Sequence, residues 1–328
     1  MLIAAIDSNR WTSPSAFIGP ESVVRVRSLL QAVLTIAVLG ACVWSMRPYL
    51  VALDVDRVRE AIGAVPTNRL AFAAAATVGS FGALAVLEFL LFAAVAAPVP
   101  WRRVLPTAFI SDTISASVGL VLVSGGLIRL RLYERWSVSA ADVVRVTLAI
   151  APVVITSGLL GAGLAIAGFD DARRVLGFRT EVVAAFAIVL GLPTVALLVP
   201  AGGRMWRWKQ IQVKVPSRSQ RVMLIAAGLG DWLCAGAAAF ALSGMPLTAW
   251  PLFQFQFIFG WLFGTASGLP AGVGVIDATT FAAFGAAADI SSLAAGLLLF
   301  RLIYLVAPTL AAVALWAAIE WLPTRKQQ

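Results

Sequence analysis

Long runs of apolar residues separated by short polar segments dominate this chain. A helix needs about 20 mostly apolar residues to cross the hydrocarbon core of a membrane, and several of the runs reach or approach that length. The pattern therefore predicts an all-α polytopic membrane protein. The predicted helical runs cover residues 28–46, 69–97, 105–127, 141–168, 181–200, 221–244, 250–267 and 289–320, with a shorter apolar piece at 275–286.

Two stretches carry residues that interrupt a membrane helix. "FISDTISASVGLVLVSGG", in the run at 105–127, is rich in serine, threonine and glycine and includes Asp112. "SGLPAGVGVID" combines Pro270, three glycines and Asp277. Non-helical backbone at membrane depth is tolerated only where it is buried in protein or lines a wet cavity. We therefore expect re-entrant hairpins at 105–127 and 250–286, which leaves about six full spans.

Positive charge in the loops predicts the orientation, because cytosolic loops of membrane proteins are enriched in lysine and arginine. The loop at 201–221 carries six basic residues and no acid, and Arg102 and Arg103 lie in the turn at 98–104. If every run crossed the membrane, these two segments would lie on opposite sides. A re-entrant segment at 105–127 places both of them in the cytosol.

This topology groups the runs into two units of opposite orientation, each with a helix, a hairpin and a second helix. Inverted repeats with broken helices near the membrane midplane are typical of transporters. The outer helices of the two units are 69–97 with 141–168, and 221–244 with 289–320.

The predicted organisation is one transmembrane domain at 28–321 in the inner (cytoplasmic) membrane of the cell. We expect a cytosolic lead-in at residues 1–27, without a signal-peptide cleavage site after the first apolar run, and a cytosolic tail at 322–328. Both termini are then cytosolic.

Composition narrows the function. Apolar residues make up 60% of the 328 and charged residues 12%, with a mean hydropathy of +0.91, whereas a soluble domain carries about 25% charged residues. Histidine is absent, which argues against most hydrolases and metal centres; we expect no metal, no cofactor and no catalytic residue. The net charge of +9 comes from basic residues between the apolar runs, which fits membrane orientation rather than nucleic-acid binding.

Five ionisable residues lie within apolar runs, where each would cost about 2.5–3.5 kcal/mol if it faced lipid at mid-depth. We therefore expect them to face the protein interior and to pair there. Arg301, in "GLLLFRLIYLV", is too far from either end of its run to reach the interface easily, so a buried partner is expected for it. Such charges either lock helices together as structural ion pairs or form a polar path for a substrate. The five are Glu88, Asp112, Asp231, Asp277 and Arg301.

Other polar features extend the candidate site. Arg129 and Arg131 in "GGLIRLRLYERW" either bind a lipid phosphate or are ordinary cytosolic-side charges. Glycines at a hairpin tip allow a sharp turn and leave N–H groups free for an anion. The candidate substrate-binding residues are Glu88, Asp112, Gly125, Gly126, Arg129, Arg131, Asp231, Pro270, Gly272, Gly274, Asp277 and Arg301.

Four blocks of sequence resemble the flippase half of the lysylphosphatidylglycerol synthetase/flippase family (MprF-like proteins and the wider YbhN-like membrane proteins). "SGGLIRLRLYERWSVS" resembles the family's "GG-x-x-R-x-R-L-Y-x-x-W-G-L-S", and "LPAGVGVID" resembles its "P-G-G-L-G-V-F-E". "LLLFRLIYLVAP" is similar to "LLLYRLIYYLLP", and "LEFLLF" is similar to "YDLLAL". The blocks keep the family's order from about residue 80 to 310. Asp277 stands where the family has Glu, Glu88 where it has Asp, and Ala271 where a second glycine is usual.

The resemblance implies a protein of the inner membrane, not an enzyme, that moves an aminoacylated phospholipid such as lysyl-phosphatidylglycerol between leaflets. The family's synthetase domain has no counterpart in this sequence, so the resemblance is compatible with a stand-alone flippase, with a partner of a separate aminoacyl-lipid synthetase, and with a homo-oligomer. Two alternatives belong to other classes: a membrane enzyme acting on a lipid-linked substrate, and a non-transporting partner of a synthetase.

Overall fold

The computed structural model describes residue 44 and residues 54–95, 97–119, 121–167, 205–208, 211–214, 216–269, 272–286 and 288–321. These residues form helices and one antiparallel two-stranded hairpin, β1 (Met205–Trp208) and β2 (Ile211–Lys214). The helices are α1 (Val55–Ala64), α2 (Thr67–Val95), α3 (Trp101–Val118), α4 (Val121–Glu134), α5 (Ala140–Ala167), α6 (Arg218–Leu242), α7 (Trp250–Ala266), α8 (Val275–Phe284), α9 (Ile290–Arg301) and α10 (Ala307–Trp321).

Four helical stretches are long and apolar enough to cross a membrane, which confirms that part of the predicted pattern. They are Thr67–Ala94, Ala140–Ile166, Arg218–Leu242 and Ile290–Trp321. The last one contains α9, a π-helical turn at Leu302–Val306, and α10. The predicted runs at 28–46 (except Trp44) and 181–200, the lead-in and the tail lie outside the described residues.

Helix α1 lies in a segment that the sequence pattern predicts as a loop. Its first turn is capped by Asp54, whose carboxylate accepts hydrogen bonds from the N–H groups of Asp56 and Arg57. The helix packs against α9, which begins at a second cap: Asp289 Oδ2 accepts the N–H of Ser292 at 2.8 Å. Hydrogen bonds from Ser292 hold the pKa of Asp289 below its usual value.

Helices α2 and α6 form the most extensive helix pair, and they run antiparallel. Ser80 contacts Asp231, whereas Leu87, further along α2, lies near Gly228, which comes earlier in α6. The end of α2 and the start of α6 therefore lie at the same end of the bundle. Arg102 follows the end of α2, and the β-hairpin precedes the start of α6. The two basic segments therefore lie at the same end of the bundle, as the loop charges predict.

Helices α3 and α4 form a hairpin whose two outer ends lie side by side. α3 ends at Gly119, which adopts φ +85°, a conformation that favours glycine. At the open end, Arg103 Nη1 donates to the carbonyl of Trp136 at 3.3 Å. The chain therefore enters and leaves this hairpin at the end that carries the basic segments.

The boundaries of the first hairpin differ from the predicted 105–127. The two helices cover Trp101–Val118 and Val121–Glu134, and Gly119 is the C-cap of the first. Gly125 and Gly126 lie inside α4, so they do not form the turn. Their missing side chains instead allow close packing, Gly125 against Ser115 and Gly126 against Thr147.

Helices α7 and α8 form a second hairpin that opens at the other end of the bundle. Gln256 Nε2 donates to Thr279 Oγ1 at 2.8 Å, and the rings of Phe253 and Phe284 stack with their centres 5.8 Å apart. The break between the helices contains three glycines with positive φ, which a right-handed helix cannot accommodate: Gly268, Gly272 and Gly274. Pro270 lies outside the described residues.

Close packing between α5 and α6 gives a stability prediction. A Cβ atom at Gly158 would lie 2.8 Å from Nε1 of Trp232, and that indole is fixed because its N–H donates to the carbonyl of Val154 at 2.9 Å. We expect Gly158→Ala to lower the free energy of unfolding by about 1–3 kcal/mol, as overpacking of a close-packed interior does.

Gly82 on α2 provides the matched control, because a Cβ atom there would meet nothing within 4 Å. Gly82→Ala should be neutral or stabilising by up to about 1 kcal/mol through helix propensity. Thermal unfolding in detergent compares the two variants. Equal stabilities would show that the α5–α6 contact is looser than described.

Candidate functional site: charged clusters inside the helix bundle

The first cluster, which we call the Arg129 cluster, joins three helices through one guanidinium group. Arg129 on α4 donates from Nε to Glu88 Oε2 at 2.8 Å and from Nη2 to Asp112 Oδ1 at 2.5 Å. Tyr133 donates its hydroxyl to Glu88 Oε1 at 2.6 Å. Glu88 is fully buried and Arg129 is 3% exposed. Two carboxylates thus share one cation away from solvent.

The helical spacing of its residues explains how this cluster forms. Arg129 and Tyr133 are four residues apart, so they lie on one face of α4 and both reach Glu88. Gly125 lies one turn before Arg129, and a Cβ atom there would lie 3.0 Å from Nη1 of that arginine. The glycine therefore provides the space in which the guanidinium group lies between α2 and α3.

The second cluster, the Arg301 pair, lies at the break of the α7–α8 hairpin. Arg301 Nη2 donates to Asp277 Oδ2 at 2.5 Å, and the same oxygen accepts the backbone N–H of Gly274 at 2.9 Å. The carboxylate thereby caps the start of α8 and pairs with α9. Arg301 thus has the acidic partner that the sequence predicts, but the pair is partly exposed, with side-chain exposures of 21% and 15%, and not fully buried as expected.

A cavity of about 10 Å³ adjoins the Arg301 pair, and Trp261 and Phe300 contribute to its lining. This is about the space of one water molecule, far too small for a lipid headgroup. The described residues around the pair therefore leave room for about one water molecule. Arg301 is also the last residue before the π-helical turn at 302–306, and such turns inside α-helices are frequent at functional sites.

The third cluster is built from hydroxyl groups around one carboxylate. Ser80 Oγ on α2 donates to Asp231 Oδ1 at 2.5 Å, and Ser80 Oγ and the Tyr304 hydroxyl are 2.7 Å apart. Asp231 is 8% exposed. Tyr304 lies in the π-helical turn, where its ring stacks on Phe81 and Phe300. Asp231 is thus linked by neutral groups to the helix that carries Arg301.

The helix at 290–321 carries Arg301 and Tyr304 and also contacts the α3–α4 hairpin. Beyond Arg301 and Tyr304, Thr309 shares a hydrogen bond of 2.6 Å with Ser117 near the break of the α3–α4 hairpin. Near its end, Glu320 pairs with Arg131 and with Arg135 at 3.1 and 3.0 Å. A movement of this helix would therefore change contacts at both hairpins.

Arg131 does not join the Arg129 cluster. Its side chain is 58% exposed and pairs with Glu320, because two residues along a helix turn the side chain to a different face. The sequence groups Arg129 with Arg131 as partners of one phosphate. In the structure the two arginines make separate contacts. Gly126 also lies apart from the charges, against Thr147.

Sequence reasoning missed Tyr133, Ser80, Tyr304 and Glu320. The spacing of four residues between Arg129 and Tyr133 was a usable signal. Ser80 gave none, since a serine in an apolar helix is common and its partner lies 151 residues away.

The charges of the three clusters do not balance. Within the three clusters, four carboxyl groups (Glu88, Asp112, Asp231, Asp277) lie with two guanidinium groups (Arg129, Arg301). Arg221, at the start of α6, is a further buried arginine among the described residues. Asp112 also lies close enough for its charge to interact with that of Asp231. The three clusters therefore contain more carboxyl groups than guanidinium groups, and Asp231 is the one of the four carboxyl groups that pairs with no arginine among the described ion pairs.

Comparison with known proteins adds one relative. An uncharacterized protein of Synechocystis (slr0712) is 27% identical over 236 residues, which cover 70% of this chain and 73% of the relative. No family model matches the chain. The relative's description names no activity, so the function has to be argued from the site.

Proposed function

We propose that this protein translocates a phospholipid with an aminoacylated, lysyl-phosphatidylglycerol-like headgroup across the inner membrane. One observation carries the proposal: buried charges are gathered at two broken-helix hairpins that open at opposite ends of an apolar bundle. Polar groups within a membrane are expensive and usually mark a substrate or ion pathway. The resemblance to the flippase family points to the same function.

Carboxyl groups outnumber guanidinium groups within the three clusters, and this favours a headgroup with net positive charge. A lysyl ester carries two ammonium groups and the phosphodiester one negative charge, so such a headgroup would balance acid in the interior. Its phosphate would meet Arg301 or Arg129, and its ammonium groups would meet Glu88, Asp112, Asp231 or Asp277. An anionic lipid would add to the imbalance instead.

Translocation would proceed by exchange of ion pairs. In the described structure each arginine pairs with carboxylates of the protein. An entering phosphate would replace those carboxylates at the guanidinium group, while the ammonium groups pair with the released acids. No charge would be left unpaired in the low-dielectric interior, which is the condition for a low barrier. The acyl chains would stay in lipid.

The proposed topology is that of a transporter with alternating access. The hairpins α3–α4 and α7–α8 would be re-entrant, with about six full spans and an inverted repeat. The end of the bundle that carries Arg102 and the β-hairpin would face the cytosol, and both termini would be cytosolic. The energy source would be a lipid gradient or coupled ions.

Purified protein in liposomes tests the proposal. Lysyl-phosphatidylglycerol is placed in the inner leaflet, and a membrane-impermeant amine reagent reports its arrival outside. We expect labelling to rise with protein, with little movement of plain phosphatidylglycerol. Chemical turnover of the lipid in detergent would instead favour the membrane enzyme, and stable association with a synthetase without movement would favour the non-transporting partner.

A further inference from the structure

Asp231 differs from the other acids of the interior in its partners. Glu88, Asp112 and Asp277 each pair with an arginine, whereas none of the ion pairs within the described part of the chain includes Asp231. Its hydrogen bond comes from the neutral hydroxyl of Ser80. A buried charge without a counter-charge is expensive in a low-dielectric medium, so such a carboxyl group favours its neutral form.

The neighbouring titratable groups strengthen this preference. The groups whose charges interact with Asp231 are Asp112 on α3, Tyr304 in the π-helical turn and Cys234 on α6 itself. Each of them is neutral or negative, and none supplies a positive charge. A proton is therefore a suitable positive partner for Asp231 when no cationic headgroup is bound.

We propose that Asp231 is a proton-binding site that couples proton movement to translocation, with the hydroxyl groups of Ser80 and Tyr304 linking it to the π-helical turn that follows Arg301. The coupling part of this inference rests on the proposed function; the proton site itself does not.

The coupling follows because a proton and an ammonium group of the lipid compete for the negative charge of the Asp231 carboxylate. When Asp231 holds a proton it is neutral and donates or accepts hydrogen bonds within the Ser80–Tyr304 chain. When a cationic headgroup enters, the carboxylate form pairs with an ammonium group, and the proton leaves to water. Proton and headgroup exclude each other, so by linkage each lowers the affinity for the other. The transport cycle then exchanges a headgroup for a proton.

The link to the helix is geometric. Ser80 donates its only proton to Asp231, so it accepts from the Tyr304 hydroxyl, which lies 2.7 Å away. A protonated Asp231 would instead donate to Ser80 and free the Ser80 proton for Tyr304. Tyr304 lies three residues after Arg301, within a turn whose hydrogen bonds already depart from the α-helical pattern. Conversion of that turn to α-helix would rotate Arg301 relative to Asp277.

Infrared spectroscopy of the purified protein tests the proton site without any transport. We expect a carbonyl band of a protonated carboxylic acid at neutral pH that is absent in Asp231→Asn and disappears as the pH rises. The control Asp56→Asn, at an exposed position on α1, should leave the band unchanged. Ser80→Ala keeps the acid but removes its donor, so the band should shift without being lost; this variant serves if Asp231→Asn does not fold. Absence of the band, or its persistence in Asp231→Asn, would overturn the proposal.

Liposome assays then test the coupling. In the native protein the apparent affinity for lysyl-phosphatidylglycerol should rise by up to about tenfold per pH unit while Asp231 is protonated, and it should be independent of pH in Asp231→Asn. Lack of any lipid movement, with the infrared band present, would refute the proposed function and leave the proton site standing. Movement with the same pH dependence in both proteins would refute the coupling.

Discussion

Replacing Arg129 by methionine is expected to destabilise the protein by about 3–5 kcal/mol. The change removes the cation shared by Glu88 and Asp112 and leaves two uncompensated carboxylates close together inside the bundle. Breaking a buried ion pair by removing one partner has an effect of this size, because the remaining charge cannot be solvated. Thermal or denaturant unfolding in detergent measures the loss.

Arg131→Met is the matched control, two residues along the same helix. Arg131 is 58% exposed and pairs with Glu320 at the end of the bundle, and exposed ion pairs contribute roughly 0–1 kcal/mol. The triple variant Arg129→Met, Glu88→Gln, Asp112→Asn should recover much of the loss, since no buried charge then lacks a partner. Equal stability of the two single variants would mean that water reaches Glu88.

The sequence predicted the part of the fold that depends on the length of apolar runs. The four long stretches that begin at Thr67, Ala140, Arg218 and Ile290 all coincide with predicted runs, because helix length in a membrane is fixed by bilayer thickness. The sequence also indicated both helix breaks, because serine, glycine and proline weaken a membrane helix at the positions where they occur. The sequence predicted only the bounds 105–127 for the first hairpin and no position for its turn, whereas the structure ends α3 at Gly119.

Short amphipathic elements were not predicted. Helix α1 depends on the cap at Asp54 and on its contact with α9, and the β-hairpin pairs Trp208 with Ile211. Neither has an apolar run that marks it. Their formation is decided by local hydrogen bonds and tertiary contacts, which hydropathy does not record.

For the candidate site, the sequence identified the charged residues but not their partners. The insertion cost of each charge predicts that it must pair, and this argument holds for Arg301 and Asp277. It does not say that Arg129 pairs with both Glu88 and Asp112, because that choice depends on how α2, α3 and α4 pack. Glu88 and Asp231 are both acids within apolar runs, yet the first pairs with arginine and the second with hydroxyl groups.

The difference between the two arginine clusters suggests separate roles. The Arg129 cluster is almost fully buried and joins three helices, so its disruption should affect folding first. The Arg301 pair is partly exposed, involves a hairpin break and adjoins the π-helical turn. It is therefore the better position for a contact that opens and closes during translocation.

Replacing Arg301 by methionine should abolish most lipid movement while leaving the protein folded. The guanidinium group is the proposed partner of the lipid phosphate, and a hydrogen bond to a charged group contributes about 1.5–3 kcal/mol. Its loss corresponds to a reduction in the rate of roughly 10- to 100-fold. Asp277, left without its partner, retains the N–H of Gly274 and some exposure, so the stability should fall less than in Arg129→Met.

Arg301→Lys separates the role of charge from that of geometry. Lysine keeps the positive charge but lacks the planar fork that matches a phosphate, so we expect intermediate movement of lysyl-phosphatidylglycerol in the liposome assay. Leu298, one turn earlier on the lipid-exposed part of α9, provides the control variant Leu298→Met, which should transport normally. Unchanged outer-leaflet exposure in Arg301→Met would rule out a role for this arginine at the phosphate and would leave Asp277–Arg301 as a structural ion pair.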